Sequence, residues 1–434
     1  MKPKGLLIAV VLLAVLGGVV WWSNKREASA SKNADTSTKI LTIPEDQFQE
    51  IRIKKVTGET IALSRATGKW QITEPKPLPA DQDAVSGIVT SLASLSADKV
   101  VEEKATDLQP YGLQIPTLDI QVKRKDGKTD GLLIGDDTPT GAGAYAKLPG
   151  DAKVYTVASF TKSGLDKRVE DLRDKRLLTF EQDKLTRLEL QAKGQTMEFG
   201  KNSAGEWQIV KPRPLRADSS AVNSLVDKLR DAKMDITATD DAAKGFASGT
   251  RIALATVTDA GGTQTLEVRR DKDKNVFAKS SVVEGVYKVA ADVGDGVEKG
   301  LEDFRNKKLF DFGFSDPSKV DLKNASYVKT GDKWTLAGKT MDNGSVQNLI
   351  DKLRDLSASK FAEAGGGEPV FEATVTSDSG KRVEKVIIRK QAAEYFAQRE
   401  NEPSIYVLDS KAVEDLQKAA SEVKEAAPET PAKK

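Results

Sequence analysis

The chain has 434 residues, more than one ordinary domain holds, with 67 Lys and Arg set against 65 Asp and Glu. A net charge of +2 with interspersed signs leaves no basic stripe of the kind nucleic-acid affinity needs, so nucleic acid is not an expected partner. The chain contains neither Cys nor His, which excludes disulfides, thiolate nucleophiles, Cys-based zinc sites, imidazole-based triads and His-rich metal sites.

After Lys2 and Lys4, residues Gly5 to Trp22 carry no charge, and at about 1.5 Å rise per residue such a stretch nearly crosses a hydrocarbon core. Trp21 and Trp22 stand where indoles favour the headgroup level, and Ser23-Asn24-Lys25-Arg26 form a polar stop. Residues 1–27 therefore read as an N-terminal signal-anchor. The alternative is a signal peptide cleaved after Ala28-Ser29-Ala30, against which charged Lys25, Arg26 and Glu27 occupy a normally neutral region. Lys2 and Lys4 nearly balance Lys25 and Arg26, so the charge count alone does not orient the segment. A single N-terminal anchor ahead of a long polar region normally exports that region. The expectation is a single-pass protein of the inner (cytoplasmic) membrane with its bulk in the periplasm or extracytoplasmic space. Residues 28–39 read as a flexible spacer.

Beyond the spacer the chain repeats itself three times. Gly68-Lys69-Trp70-Gln71-Ile72 recurs as Gly205-Glu206-Trp207-Gln208-Ile209 and as Asp332-Lys333-Trp334-Thr335-Leu336, each after alternating, strand-like residues. A helix follows each Trp. Val85, Ile88, Val89, Leu92 and Leu95 share one face in the first copy, Val222, Leu225, Val226 and Leu229 in the second, and Val346, Leu349, Ile350 and Leu353 in the third. Asp81, Asp218 and Asp342 stand at the predicted N-caps.

Four short strands then follow in each copy. In the first they contain Leu118–Val122, Leu132–Ile134, Tyr145–Lys147 and Val154–Val157; in the second, Ala253–Val257, Leu266–Val268, Phe277–Lys279 and Val286–Val289; in the third, Ala373–Val375, Val386–Ile388, Phe396–Gln398 and Ile405–Leu408. A closing helix ends each copy. The predicted unit is βββαββββα, an α+β fold with antiparallel pairing. The units are read as 40–175, 176–307 and 308–420, with a low-complexity, disordered tail over 421–434.

Tyr111-Gly112-Leu113 with Pro116, Ile134-Gly135-Asp136-Asp137-Thr138-Pro139, Tyr145-Ala-Lys147, Val154-Tyr155 and the run from Asp171 to Leu178 together resemble the bacterial domain of unknown function 4340 family. The resemblance covers most of the first two copies and, more faintly, the third. It implies a membrane-anchored protein encoded beside an ABC-type exporter similar to the gliding-motility system, and it carries over no functional residue. The later copies depart from the pattern: neither has a Tyr-Gly-Leu, and the Gly-Asp-Asp turn is replaced.

Asp136 and Asp137 offer adjacent carboxylates to a hard cation, but the sister copies lack them and a turn is the better reading. Asp271 to Asn275 begins like a calcium loop, yet Val276 and Val282 stand where Gly and a bidentate Glu are required. Gly261-Gly262 and Gly365-Gly366-Gly367 lack the context of a phosphate cradle. Trp70, Trp207 and Trp334 read as core residues rather than sugar platforms. The clusters Arg173–Arg176 and Arg305–Lys308 read as cations at helix C-termini, with anionic lipid headgroups as the alternative.

No catalytic, cofactor-binding or metal residue is assigned. The expected function is a non-enzymatic accessory or binding subunit of an ABC-type transporter or envelope system. A carboxylate-dependent glycan hydrolase and a passive spacer are the alternatives.

Overall fold

The computed structural model describes residues 38–427 apart from Ala66 and residues 315–316. The expected anchor, and the spacer up to residue 37, lie outside the described residues. Among the described residues no helix is long and apolar enough to cross a membrane. The chain divides into two compact units, one ending at Lys175 and the other starting at Arg176.

In the first unit, alternation buries Phe48, Ile51 and Ile53 on one face of the strand Phe48–Lys55 and Leu118, Ile120 and Val122 on its antiparallel neighbour Leu118–Arg124. Three strands on one side and four on the other extend this pair. The full antiparallel order is Leu78–Pro79, Gln71–Glu74, Thr60–Ser64, Phe48–Lys55, Leu118–Arg124, Thr129–Asp137, Gly143–Lys147, Val154–Ala158 and Lys99–Glu102. A separate pair, Thr38–Thr42 with Ser94–Ala97, runs beside the helix. Thr38 and Lys39, expected in the spacer, are thus strand residues.

The helix Gln82–Ala93 lays Val85, Ile88, Val89 and Leu92 into the core. Asp81 caps it, one carboxylate oxygen accepting from the Asp83 and Ala84 N–H groups at 3.1 Å each. Leu95 is buried as expected, but from the strand that follows the helix.

The second unit holds two such layers with two cores, one spanning Leu177 to Phe304 and the other Leu309 to Leu416. Its eight-stranded sheet runs Leu215–Arg216, Trp207–Lys211, Gln195–Lys201, Arg187–Ala192, Thr250–Asp259, Gly262–Arg270, Val276–Ser280, Tyr287–Val289. Its nine-stranded sheet runs Lys339–Thr340, Lys333–Leu336, Ala325–Thr330, Lys319–Leu322, Glu368–Ser377, Arg382–Gln391, Glu394–Arg399, Ile405–Leu408, Ala358–Ala362. The helices Ser219–Arg230 and Asn343–Asp355 bury the expected residues. Asp218 caps the first of them through Ser220 (2.9 Å) and Ala221 (3.1 Å), and Asp342 caps the second through Ser345 (2.9 Å).

The Trp residues are buried beside these helices and tied to them. Gln82 bridges the backbone of Trp70, accepting at 2.8 Å and donating at 3.0 Å, while the Trp207 indole N–H donates to Asn223 (2.8 Å). In the third copy Trp334 N donates to Asn343 at 3.4 Å.

Several expectations need correction. Each copy has a further two-residue strand before its capped helix, so the first half carries more strands than three. The closing helix is continuous only in the third copy, Ser410–Ser421. In the others it is two short helices, Ser159–Leu165 with Val169–Leu172 and Ala291–Val297 with Leu301–Phe304, because Asp171 and Asp303 accept from the Arg168 and Gly300 N–H groups and start a new turn.

The second copy also has an unexpected helix, Thr239–Ser248. It replaces the edge strand that Lys99–Glu102 and Ala358–Ala362 supply elsewhere, and the chain keeps only a single bridge there, Asp235 to Lys288. The boundary placed at Lys307 separates two cores but not two units. The tail begins ordered: Asp342 N donates to Lys424 O (2.8 Å) and Ala426 N to Thr340 O (3.0 Å), so disorder does not start at 421.

The second face of each sheet is covered in a common way. Tyr145, Phe277 and Phe396 occupy equivalent strand positions, and each is met by the segment that follows the capped helix. Tyr111 packs edge-on against Tyr145 at 5.0 Å, whereas a Cβ on Gly245 or Gly365 would collide with Phe277 or Phe396. Replacing any one capping Asp by Ala is expected to cost about 1 kcal/mol. Denaturant midpoints of D81A, D218A and D342A check this, and unchanged midpoints would mean the caps contribute nothing.

Candidate functional site

The joint between the second and third copies gathers most of the buried charge of the described residues. Its framework is backbone. Leu215–Arg216 is the last strand of its sheet, Ala217 bridges Arg305, Asp218 N donates to Phe304 O (2.7 Å) and Asn306 N to Arg216 O (3.0 Å). These bonds lay the strap from Arg305 to Phe312 along Arg216.

Arg216 then grips the strap and the third copy together. One guanidinium nitrogen donates to both carboxylate oxygens of Asp311 at 2.5 Å. The other donates to Lys308 O (2.9 Å) and the Tyr406 hydroxyl (3.1 Å), and Nε stands 3.4 Å from Glu402. Tyr406 donates to Glu402 (2.8 Å).

Arg399, from the strand Glu394–Arg399, mirrors Arg216. It pairs with Glu402 (2.7 Å) and Glu384 (3.1 Å) and donates to the Leu309 carbonyl. Glu384 also accepts from Asp311 N (2.8 Å), and Arg382 pairs with Glu206 at 2.6 Å.

Such a network stands only because it is paired, since a charge taken out of water without a partner is costly. Burial pulls the Arg216 guanidinium down, but Asp311, Tyr406 and Glu402 outweigh it and the net shift is upward. The Arg382 hydrogen bond holds the Glu206 carboxyl below its usual range. Burial pushes the Tyr406 phenol up to about 12, with Arg216 opposing and Glu402 reinforcing.

Beside the network lies a cavity of about 360 Å³, lined by Glu206, Trp207, Arg216, Asn306, Lys308 and Asp311 among others. Its wall carries charges of both signs, from Arg216 and Lys308 and from Glu206 and Asp311, a surface suited to a polar partner. Two further grooves, about 430 and 480 Å³, lie between the capped helix and the broken closing helix of the first and second copies. They have equivalent walls, Ala84 matching Ala221, Gly164 matching Gly296 and Lys167 matching Lys299.

The motifs singled out in the sequence fall elsewhere. Asp136 and Asp137 end a strand, where Asp137 pairs with Lys162 (2.8 Å) and Asp136 lies against Gly112. A Cβ on Gly135 would strike the Tyr111 carbonyl, so the Tyr-Gly-Leu and Gly-Asp-Asp segments pack against one another as scaffold. Asp271 accepts from the Asp273 and Asn275 N–H groups of its own turn. Gly261-Gly262 closes a hairpin, and Gly367, at φ +100°, passes too close to Lys390 for a side chain.

Arg305 follows the short helix Leu301–Phe304 as expected, but it is buried, away from any lipid surface. It is 7% exposed, its guanidinium carbon lies 3.4 Å from the Phe361 ring centre, and it donates to Ser404 (3.1 Å) and Glu302 (2.9 Å). Among the described residues no group of three or more carboxylates is arranged to hold a metal ion.

The joint itself was missed. Its sequence signal is a charged residue where sister copies are neutral: Arg216 stands where the first copy has Pro79 and the third Thr340, and Asp311 where the second copy has Thr179.

The family model described as Domain of unknown function (DUF4340) matches the chain twice, over residues 70–207 and 207–380. No curated protein and no solved structure matches it.

Replacing Arg216 by Met leaves Asp311 and Glu402 short of one cation. The expected loss is roughly 2 kcal/mol, below the ~3–5 typical of a fully buried pair because both partners touch water. Hydrogen exchange should quicken at 309–312 and 399–406, and unchanged exchange would refute the gripping role. A pH series tests Tyr406. Its folded pKa lies above the unfolded value of about 10, so its stabilising contribution is complete below that pH and is lost as pH rises toward about 12. Unfolding midpoints of Y406F should lack this part of the alkaline slope.

Proposed function

The chain belongs to the DUF4340 family, and on that premise we propose that it is a membrane-anchored, extracytoplasmic, non-enzymatic subunit serving an ABC-type transporter or a related envelope system. The observation that carries this reading is where the copies differ. Trp, capping Asp and helix stripe recur in all three and are spent on cores. The copy-specific charges collect instead at the joint of the second and third copies, next to an open, polar-walled cavity. A repeat array whose distinctive side chains build a surface rather than a reactive centre is suited to holding a partner. The uncharged stretch from Gly5 to Trp22 supplies the tether in this reading, and the periplasmic or extracytoplasmic placement follows from it.

The full-length chain, tagged and purified from detergent-solubilised membranes, is expected to bring down an ABC-type permease identified by mass spectrometry. Lys308→Glu combined with Asn306→Ala alters the cavity wall without removing Arg216 or Asp311. It should lower that recovery about tenfold, the equivalent of ~1.4 kcal/mol. Bait recovered alone, or a recovery indifferent to the cavity variant, would overturn the proposal.

A further inference from the structure

Two buried polar groups in the third copy have no hydrogen-bond partner. Glu384 is 4% exposed; its Oε1 is used by Asp311 N and Arg399, while its Oε2 is buried with nothing to accept from. Ser377 is 0% exposed, and its Oγ is likewise unpartnered. The strands Glu368–Ser377 and Arg382–Gln391 pair with Val375 opposite Glu384 and Ser377 opposite Arg382. Glu384 and Ser377 therefore project to the same face one diagonal step apart, a separation of about 7 Å at the backbone. A bound water or ion is one of the few things that satisfies such unpartnered buried groups.

The second copy shows what the place holds when it is filled from the chain. There Val257 lies opposite Gln264, and Asp259 occupies the position of Ser377. Gln264 accepts from Thr179 N (2.8 Å) just as Glu384 accepts from Asp311 N. Asp259 reaches the second copy's counterpart of the strap, the segment from Arg173 to Glu181, accepting from Glu181 N at 2.8 Å, with its other oxygen bonded to Gly261 N. In the third copy Ser is shorter than Asp by the whole carboxylate, so the strap end of that site loses its acceptor. The neighbouring Gln has become Glu, which has an oxygen to satisfy where the amide had N–H groups to give. The change from Asp to Ser leaves room and the change from Gln to Glu leaves an acceptor to satisfy, so the place suits a molecule that donates to a carboxylate and also bonds a hydroxyl.

We infer that Ser377 and Glu384 hold a buried, long-lived water molecule that takes the place of the Asp259 carboxylate and completes the strap's attachment in the third copy. It donates to Glu384 Oε2 and exchanges a hydrogen bond with Ser377 Oγ, the minimum of two polar partners an internal water needs. Water suits the site better than a cation because Arg399 and Arg382 already bring positive charge to Glu384.

The test refills the site from the chain. In the full-length protein, the double variant Ser377→Asp with Glu384→Gln copies the Asp259 and Gln264 pair and conserves net charge. Water-oxygen magnetic relaxation dispersion should show one fewer long-lived water than the wild type, with the melting midpoint kept within about 3 °C. Ser377→Ala, which removes one anchor without adding bulk, should show the same loss of one water if the double variant folds poorly. Equal dispersion amplitudes in wild type and Ser377→Ala would overturn the inference. So would a wild-type midpoint that differs between NaCl and KCl while the double variant's does not, since the occupant would then be a cation.

Discussion

Each copy rests on one packing event, an apolar helix stripe laid across a single face of an antiparallel sheet. Four buried aliphatic side chains per helix, at about 1.5–3 kcal/mol each, are the largest favourable contribution that any one element brings. The event dictates what surrounds it. The Asp cap satisfies N–H groups in the helix's first turn that have no partner within the helix, and the Trp fills the corner where strand and helix meet. Because the stripe covers only one face, the other is left polar except where an aromatic at the position of Tyr145, Phe277 or Phe396 is sheltered by the passing chain.

That core solution is local, and it leaves the strands at the sheet ends to be finished by the chain beyond. In the first copy Ala80 bridges Arg173, in the second Ala217 bridges Arg305, and in the third Met341 bridges Glu425. The same backbone device thus draws three different following segments against three equivalent edges. Only in the second copy does a guanidinium grow from that edge, and there the edge becomes a joint. The charges at this joint contribute less to net stability than to geometry, because desolvation offsets most of their attraction. A guanidinium whose two terminal nitrogens are bonded to different groups, Asp311 on one side and Lys308 O with Tyr406 on the other, fixes direction as well as distance, which an apolar contact of the same size would not.

The elements legible in the sequence were those whose signal is periodic and local. The helix stripes, the Asp caps and the core of nearly every strand follow from spacing alone, because burial on one face imposes period and termination together. The helix Thr239–Ser248 was not visible, since it takes the place of an edge strand and has no sister element in the other copies to align with. The broken closing helices were hidden because the break lies in Asp171 and Asp303 turning back on the chain, a choice the apolar pattern does not encode. The joint escaped for a different reason. Arg216, Asp311, Glu384, Arg399 and Glu402 are scattered over 187 positions of a chain rich in charge, and only the fold shows which of them meet. Comparing copies gave the right filter, but it was used to discard motifs that do not recur when the non-recurring charges were the informative ones.

The phase of the family match bears on what the family unit is. The cores close at Leu172 and Phe304, yet the matches run from Trp70 to Trp207 and from Trp207 to position 380. Each match therefore begins inside one copy's sheet and ends inside the next, and it encloses the segment that leaves the closing helix and enters the following strands. For the second match that segment is the strap carrying Asp311, and its span reaches past Ser377. Both matches start at a repeat Trp, but the first stops at the next Trp and the second runs past it, so they enclose equivalent connections without sharing an end. The connection between the second and third copies, with Asp311 in it, therefore lies inside a family match and not between two, while the charges gathered on it are specific to this copy.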